Sequence, residues 1–280
     1  MGETTGLPAD AAVGRVALRV GDLDAVAEFN REVVGLAVVE RGADRALLGA
    51  GGTGLLELAA APDAPERRPD QAGLFHTAFR VPSRAALADA LARIQSRWEL
   101  DRASDHRVSE ALYLADPEGN GVEVYCDRPR EEWPERDGRV AMETLALDLA
   151  GLDGGDPDAG APGGTTVGHV HLEATSLSAS REFYEGLGLG VRATYGSGGA
   201  FLAAGDYHHH VGLNTWNGRT DPAGGRGLAH FEFVVPGGVP DGLRTREGAT
   251  AVEGGVEVTD PDGIPVRVRG PDPDGGDGRR

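Results

Sequence analysis

Gly14-Arg15-Val16-Ala17-Leu18-Arg19-Val20 and Gly168-His169-Val170-His171-Leu172-Glu173-Ala174 follow one pattern, a glycine opening a strand of alternating character. Successive side chains on a strand point to opposite faces, so the alternation reserves one face for a core. After the first stretch, Asp22 to Phe29 starts a helix that closes at Gly35-Leu36. After the second, Leu177 to Phe183-Tyr184 does the same and closes at Gly188-Leu189. In both copies the phenylalanine lies fourteen residues after the residue that follows the glycine, Arg15 or His169. This shared register marks an internal repeat, and a repeat governs the reading of the rest of the chain.

Working outward, two further openings have the same shape: Gly73-Leu74-Phe75-His76-Thr77-Ala78-Phe79-Arg80-Val81-Pro82 and Gly227-Leu228-Ala229-His230-Phe231-Glu232-Phe233-Val234-Val235-Pro236. Each leads to an acidic turn and a strand, Asp116-Pro117-Glu118-Gly119-Asn120 before Gly121-Val122-Glu123-Val124-Tyr125, and Asp260-Pro261-Asp262-Gly263 before Ile264-Pro265-Val266-Arg267-Val268. Proline sets φ and glycine accepts positive φ, so these read as turns between strands. The chain thus divides into four βαβββ modules at 10–62, 72–128, 166–217 and 225–270. Two modules form an N-terminal domain, 10–128, and two a C-terminal domain, 166–270. They are joined by 129–165, which holds a short helix near Asp148 to Leu152 and a flexible Gly/Pro/Asp stretch at 154–164. The Gly/Asp/Pro tail at 271–280 is expected to be disordered.

Composition narrows the function. A chain of 280 residues, 40% hydrophobic, can bury a core. The apolar runs, such as Ala46 to Ala50 and Leu55 to Ala61, fall far short of the roughly 20 residues needed to span a bilayer. The N-terminus lacks the basic start of a signal peptide, and the chain is expected to be cytoplasmic. A net charge of -18 opposes nucleic-acid binding, which depends on Lys and Arg displacing counterions. One cysteine, Cys126, excludes a disulfide framework and a multi-cysteine zinc cluster, so any metal must be held by His, Asp or Glu.

From 10 to 270 the repeat resembles the vicinal oxygen chelate superfamily, which includes glyoxalase I, bleomycin resistance proteins and extradiol dioxygenases. The resemblance implies an α+β fold of four βαβββ modules paired into two open cup-like barrels. Val108-Ser109-Glu110-Ala111-Leu112-Tyr113-Leu114-Ala115-Asp116-Pro117, Asp127-Arg128-Pro129-Arg130-Glu131-Glu132-Trp133 and Tyr207-His208-His209-His210-Val211-Gly212-Leu213-Asn214-Thr215-Trp216 are similar to two-domain catechol 2,3-dioxygenases. That branch holds Fe(II) with two histidines and one carboxylate on one face, leaving the others for a catecholate and O2.

The resemblance places the ligands on the first strand of one module and on the first and last strands of its partner. Modules one and two offer His76 and Glu123 but carry Arg15 at the first position; modules three and four offer His169 and His230 but carry Arg267 in place of the carboxylate. A guanidinium cannot ligate iron. Modules two and three together supply His76, Glu123 and His169, a full set. They meet either by pairing within the chain or through a second copy in a homo-oligomer. The resemblance also implies catalytic roles for Tyr113 and His106, which would help deprotonate the diol, and for His209 as the acid–base histidine. His208 and His210 remain alternatives, with strand alternation putting those two on one face and His209 on the other.

Plainer readings compete with these. An isolated strand histidine is more often packed than ligating. His171 shares strand parity with His169 and is the alternative inward neighbour, and His230 reads as a core-facing remnant. Glu57 is expected to pair with Arg15. Cys126 reads as buried and inert. Trp133 and Trp216 read as packing anchors, and Tyr113 reads equally as strand padding. The function expected is a ring-cleaving extradiol dioxygenase using Fe(II), or Mn(II), on a small aromatic diol with O2. Its rivals are a glyoxalase-like isomerase or lyase, which uses two carboxylates per metal, and a metal-free protein that sequesters an aromatic drug.

Overall fold

The computed structural model describes residues 6–152 and 154–271; all of the tail expected to be disordered except Pro271 lies outside the described residues. All four modules are present. The first is β1 (Ala12–Val20), α1 (Leu23–Phe29), β2 (Ala37–Arg41), β3 (Arg45–Ala50) and β4 (Thr53–Ala60). The second is β5 (Gly73–Arg80), α2 (Arg84–Arg97), β6 (Arg102–Asp105), β7 (Ser109–Ala115) and β8 (Gly121–Asp127). Three two-residue strands follow in the linker, β9 (Glu135–Arg136), β10 (Arg139–Val140) and β11 (Leu145–Ala146). The third module is β12 (Thr166–Glu173), α3 (Leu177–Gly186), β13 (Gly190–Tyr195), β14 (Gly199–Ala203) and β15 (Val211–Asn214). The fourth is β16 (Gly227–Val234), α4 (Asp241–Arg244), β17 (Thr250–Val252), β18 (Gly255–Thr259) and β19 (Pro265–Arg269).

Local chemistry explains the elements. Asp22, Ser83 and Ser176 cap α1, α2 and α3, each side chain accepting the N–H three residues on. In module four Pro236, Gly237, Gly238 and Pro240 precede the helix, and α4 is a single turn. The two acidic turns match atom for atom. Asp116 Oδ1 accepts the N–H of Glu118 and Asn120 at 2.9 and 2.8 Å, and Asp260 Oδ1 accepts those of Asp262 and Ile264 at 2.9 and 2.8 Å. Gly119 and Gly263 take the positive φ that each turn needs.

The strands form an α+β arrangement of two mixed sheets. One runs β17-β18-β19-β16-β1-β4-β3-β2, the other β11-β6-β7-β8-β5-β12-β15-β14-β13. Each sheet therefore takes one module from each half of the chain: the outer modules, one and four, share the first, and the inner modules, two and three, share the second. The division at the linker does not coincide with a division between sheets. The joins are antiparallel, β1 to β16 and β5 to β12. Within each module the first and last strands run parallel.

The acidic turns tie the two sheets together. Glu118 accepts the N–H of Gly21 and Asp22 at 2.9 and 2.7 Å, and Asp262 accepts the N–H and hydroxyl of Thr175. Each is the turn of one inner and one outer module reaching the strand–helix junction of a module in the other sheet. Beneath these contacts a continuous apolar core takes in Val16, Leu56, Phe79, Leu112, Val170, Leu213, Phe231 and Phe233.

The linker is more structured than its composition suggests. Leu149–Leu152 is a short 3-10 helix, near the expected position. The stretch at 154–164 has no regular structure, yet it is fastened along α2: Asp156 N–H bonds the Asp89 carboxylate at 2.8 Å, Arg97 pairs with Asp158 at 2.7 Å, and Arg93 donates to the Ala159 carbonyl. Its glycines let the backbone lie close on the helix, rather than leave it free. Trp133 is a buried anchor, its Nε1 donating to the Arg128 carbonyl at 2.9 Å, as expected. Among the described residues, no helix is long and apolar enough to cross a membrane.

Candidate metal centre

The inner sheet curls around a cavity of about 300 Å³. Its inner face is set by strand parity: His76 and Ala78 on β5, Tyr113 on β7, Glu123 and Tyr125 on β8, and His169 and His171 on β12. Tyr125 packs with Ala78 and Ala111 to fill the floor. Above them His76, Glu123 and His169 converge, all buried. His76 Nε2 lies 2.9 Å and His169 Nε2 3.2 Å from Glu123 Oε2, and the two nitrogens are 3.3 Å apart. Three ligands on one face of an octahedron with bonds of about 2.1 Å are about 3.0 Å apart, so the donor triangle has the size a divalent cation needs.

The electrostatics suit a cation. Burial pushes Glu123 up, but the His169 and His76 imidazoles outweigh it and hold the carboxyl well below its usual range. Burial also lowers His169 to about 4, so its ring is neutral and offers a lone pair near neutral pH. His169 Nδ1 has no partner in the protein. The pairing of modules two and three occurs inside one chain, so no second copy is needed to complete the triad.

Tyr113, His106 and His209, the catalytic candidates from the sequence, also line this cavity. His106 Nδ1 lies 2.7 Å from the Glu143 carbonyl and His106 Nε2 2.7 Å from the Tyr113 hydroxyl. A carbonyl can only accept, so Nδ1 carries the proton, and in the neutral ring Nε2 accepts from Tyr113. Burial, reinforced by the Glu123 charge, raises the Tyr113 phenol well above its usual range. His209 faces the cavity, with its ring centroid 4.0 Å from that of His169; His208 and His210 do not line it. The three lie ahead of β15 and outside any strand, so this division among them does not come from strand alternation.

Sequence reasoning missed the support behind His209. Asp127, on the same strand face as Glu123, accepts from His208 Nε2 at 3.0 Å, and His208 Nδ1 meets His209 Nδ1 at 2.7 Å. With Asp127 ionised, His208 donates through Nε2, and in the tautomer whose single proton sits there it accepts through Nδ1. His209 then carries its proton on Nδ1, which leaves its Nε2 free to accept one. Burial, with the neighbouring imidazoles, keeps His209 neutral far below its ordinary value. The parity of Asp127 with Glu123 was the signal available. Also unanticipated is the linker's share: Met142, Glu143 and Thr144 line the cavity. Trp216, expected as an anchor, is 46% exposed and lines the cavity as well. Cys126 is buried, and burial pushes its thiol up to about 12, in line with an inert residue.

The outer sheet has the corresponding positions filled differently. His230 is buried and accepts from Arg267 Nη1 at 2.9 Å, while Arg267 also binds Glu257 at 2.8 Å. Arg15 approaches Glu57 at 3.9 Å, the expected ion pair. Guanidinium groups stand where the inner sheet gathers its donors.

Comparison with known proteins agrees with this geometry. The model of the Glyoxalase/Bleomycin resistance protein/Dioxygenase superfamily matches residues 12–124. A catechol-2,3-dioxygenase of Bacillus subtilis strain 168 is 38% identical over 245 residues, covering 83% of this chain and 85% of that protein. The chain belongs to this superfamily. It is a homologue of catechol-2,3-dioxygenase that carries a buried two-histidine, one-carboxylate candidate metal site. A biphenyl-2,3-diol 1,2-dioxygenase of Rhodococcus globerulus is 39% identical over 64 residues, covering 22% of this chain and 34% of its own. Among solved structures, a Bacillus subtilis protein named as a dioxygenase superposes with TM-score 0.62 at 16% identity, covering 96% of this chain and 86% of that one. Glyoxalase I of Zea mays gives 0.57 at 17%, covering 92% of each. At such identities these two show the superfamily's fold alone.

Proposed function

We propose that the protein is an extradiol dioxygenase that opens the ring of a catechol-type diol with O2, using Fe(II), or Mn(II), held by His76, Glu123 and His169. The observation that carries this reading is the triangle of three buried donors, 2.9 to 3.3 Å apart, facing a partly open cavity. A bound divalent ion would supply Lewis acidity toward the diol oxygens and open positions for them and for O2.

The chain's own residues handle protons and water. Tyr113 hydrogen-bonds one diol oxygen, and His106, tied to the Glu143 carbonyl, takes the proton passed through the Tyr113 hydroxyl. His209 Nε2 accepts and returns a proton on the other side, its tautomer set by His208 and Asp127. Phe75, Val108, Met142 and Phe201 hold the ring and keep water away.

Strand register speaks against the glyoxalase-like alternative. On β5 and β8, Ala78 stands opposite Glu123, two residues after His76; on β12 and β15, His171 stands opposite Gly212, two residues after His169. The position that would bring a second carboxylate to the inner cup is a glycine.

The test is anaerobic loading with Fe(II) followed by exposure to a catechol panel in air, watching for the yellow ring-fission product. Turnover of at least one catechol is expected. Failure to form product from any of them, with iron shown to be bound, would remove the dioxygenase reading. Glu123→Gln should lose the iron on gel filtration, and unchanged iron content in that variant would place the metal elsewhere.

A further inference from the structure

A buried histidine on the cavity wall is used neither by the donor triangle nor by the proton-handling residues. His171 is buried and lines the cavity, and its imidazole makes no hydrogen bond in the protein. Buried polar atoms in native proteins almost always have a partner, so an unpaired nitrogen on a cavity wall points to a ligand that supplies one. Its surroundings leave little else to do so. The ring sits among aromatic groups, with Phe75, Trp216 and Phe201 centroids at 5.1, 5.4 and 5.7 Å, and His76 at 4.9 Å.

The sheet is built to admit this ring. Gly212 stands directly opposite His171, and a Cβ there would come within 2.9 Å of two imidazole carbons. Any other residue at 212 would push the imidazole aside, so the glycine that removes a second carboxylate also makes room for His171.

We propose that His171 is a specificity-determining residue whose imidazole hydrogen-bonds an oxygen-bearing substituent on the ring of the diol, with Phe75, Phe201 and Trp216 packing around that substituent. The inference rests on the dioxygenase reading and extends it to a substrate class, catechols bearing a polar side group. A hydroxyl is the simplest probe, because it can donate or accept and so pairs with either tautomer of a neutral imidazole. A purely apolar substituent of the same size leaves the imidazole unpaired and binds more weakly.

The experiment compares ethylcatechol with hydroxymethylcatechol, each substituted either next to the diol or one carbon further away. Steady-state kinetics are run with the iron-loaded enzyme and with His171→Phe, His171→Gln and Gly212→Ala at matched iron content. For one of the two ring positions, the unaltered enzyme should favour the hydroxymethyl compound about tenfold in kcat/KM, mainly through KM. His171→Phe should erase or reverse that preference, His171→Gln should keep part of it, and Gly212→Ala should weaken it by crowding the imidazole. A preference that is absent from the unaltered enzyme, or unchanged in His171→Phe and Gly212→Ala, overturns the proposal. Anaerobic calorimetry with the same pair separates the two readings. If no catechol is cleaved but the hydroxymethyl compound still binds about tenfold tighter in a His171-dependent way, the dioxygenase reading fails and the assignment of His171 stands; equal binding of the pair overturns it.

Discussion

Asp260 shows how single buried carboxyls are held. Its Oδ1 accepts two backbone N–H groups and its Oδ2 accepts from the Tyr184 hydroxyl at 3.1 Å. Burial still raises it to about 6, against the pull of the Ile264 N–H and with the Asp262 charge adding to the rise. A carboxyl whose folded pKa lies above its unfolded value contributes stability that is present below the unfolded pKa, near 4, and lost as pH rises through the folded one. Wild type should therefore lose up to about 3 kcal/mol relative to Asp260→Asn between about pH 4 and about pH 7. Urea melts of both proteins across that range check this, and parallel stability curves would sink it. At the same scale, the candidate donors His76, Glu123 and His169 were legible because the family resemblance gives each a position in the repeat. The tautomers of His106 and His209 were not, since they depend on the Glu143 carbonyl and on Asp127, 37 and about 80 residues away in sequence.

Arg93 is the clearest case at the level of elements. It lies on α2 and is buried, yet its Nε and Nη2 donate to the carbonyls of Val33 and Val34 at 2.9 and 2.7 Å, while Nη1 reaches the Ala159 carbonyl. It thus satisfies the C-terminal end of the helical segment of module one, where backbone carbonyls lack intrahelical partners, and it fastens the linker in the same stroke. Arg93→Ala should cost about 2–4 kcal/mol by leaving these carbonyls buried and unpaired. It should also expose 154–164 to protease ahead of the sheets. A melting temperature within a degree or so of wild type, with no new cleavage there, would argue against the role. The helices and strands of the repeat were readable because alternation, caps and Asp-Pro turns are local signals. The ordered path of 154–164 was not, because Gly, Pro and Asp describe what a backbone is free to do and not what it is tied to.

For the molecule as a whole, the two sheets are related copies with opposite outcomes: one gathers three donors and the other closes the same positions with Arg15 and Arg267. The protein should accordingly take up one divalent ion per chain, and a second tightly held equivalent, by equilibrium dialysis and metal analysis, would contradict the account of the outer sheet. The sequence by itself determined the number and type of modules, because periodicity is carried residue by residue, and its family resemblance pointed to the candidate donors and to the two positions at which arginine forbids a ligand. Only the tertiary structure decided that the inner modules pair with each other and the outer ones do likewise in a second sheet. That choice is made by edge-to-edge joining of β5 with β12 and β1 with β16, and by the reach of Glu118 and Asp262 across the sheets, contacts between residues far apart in the chain. All four opening strands have similar alternation and compatible edges, so their local pattern favours neither pairing.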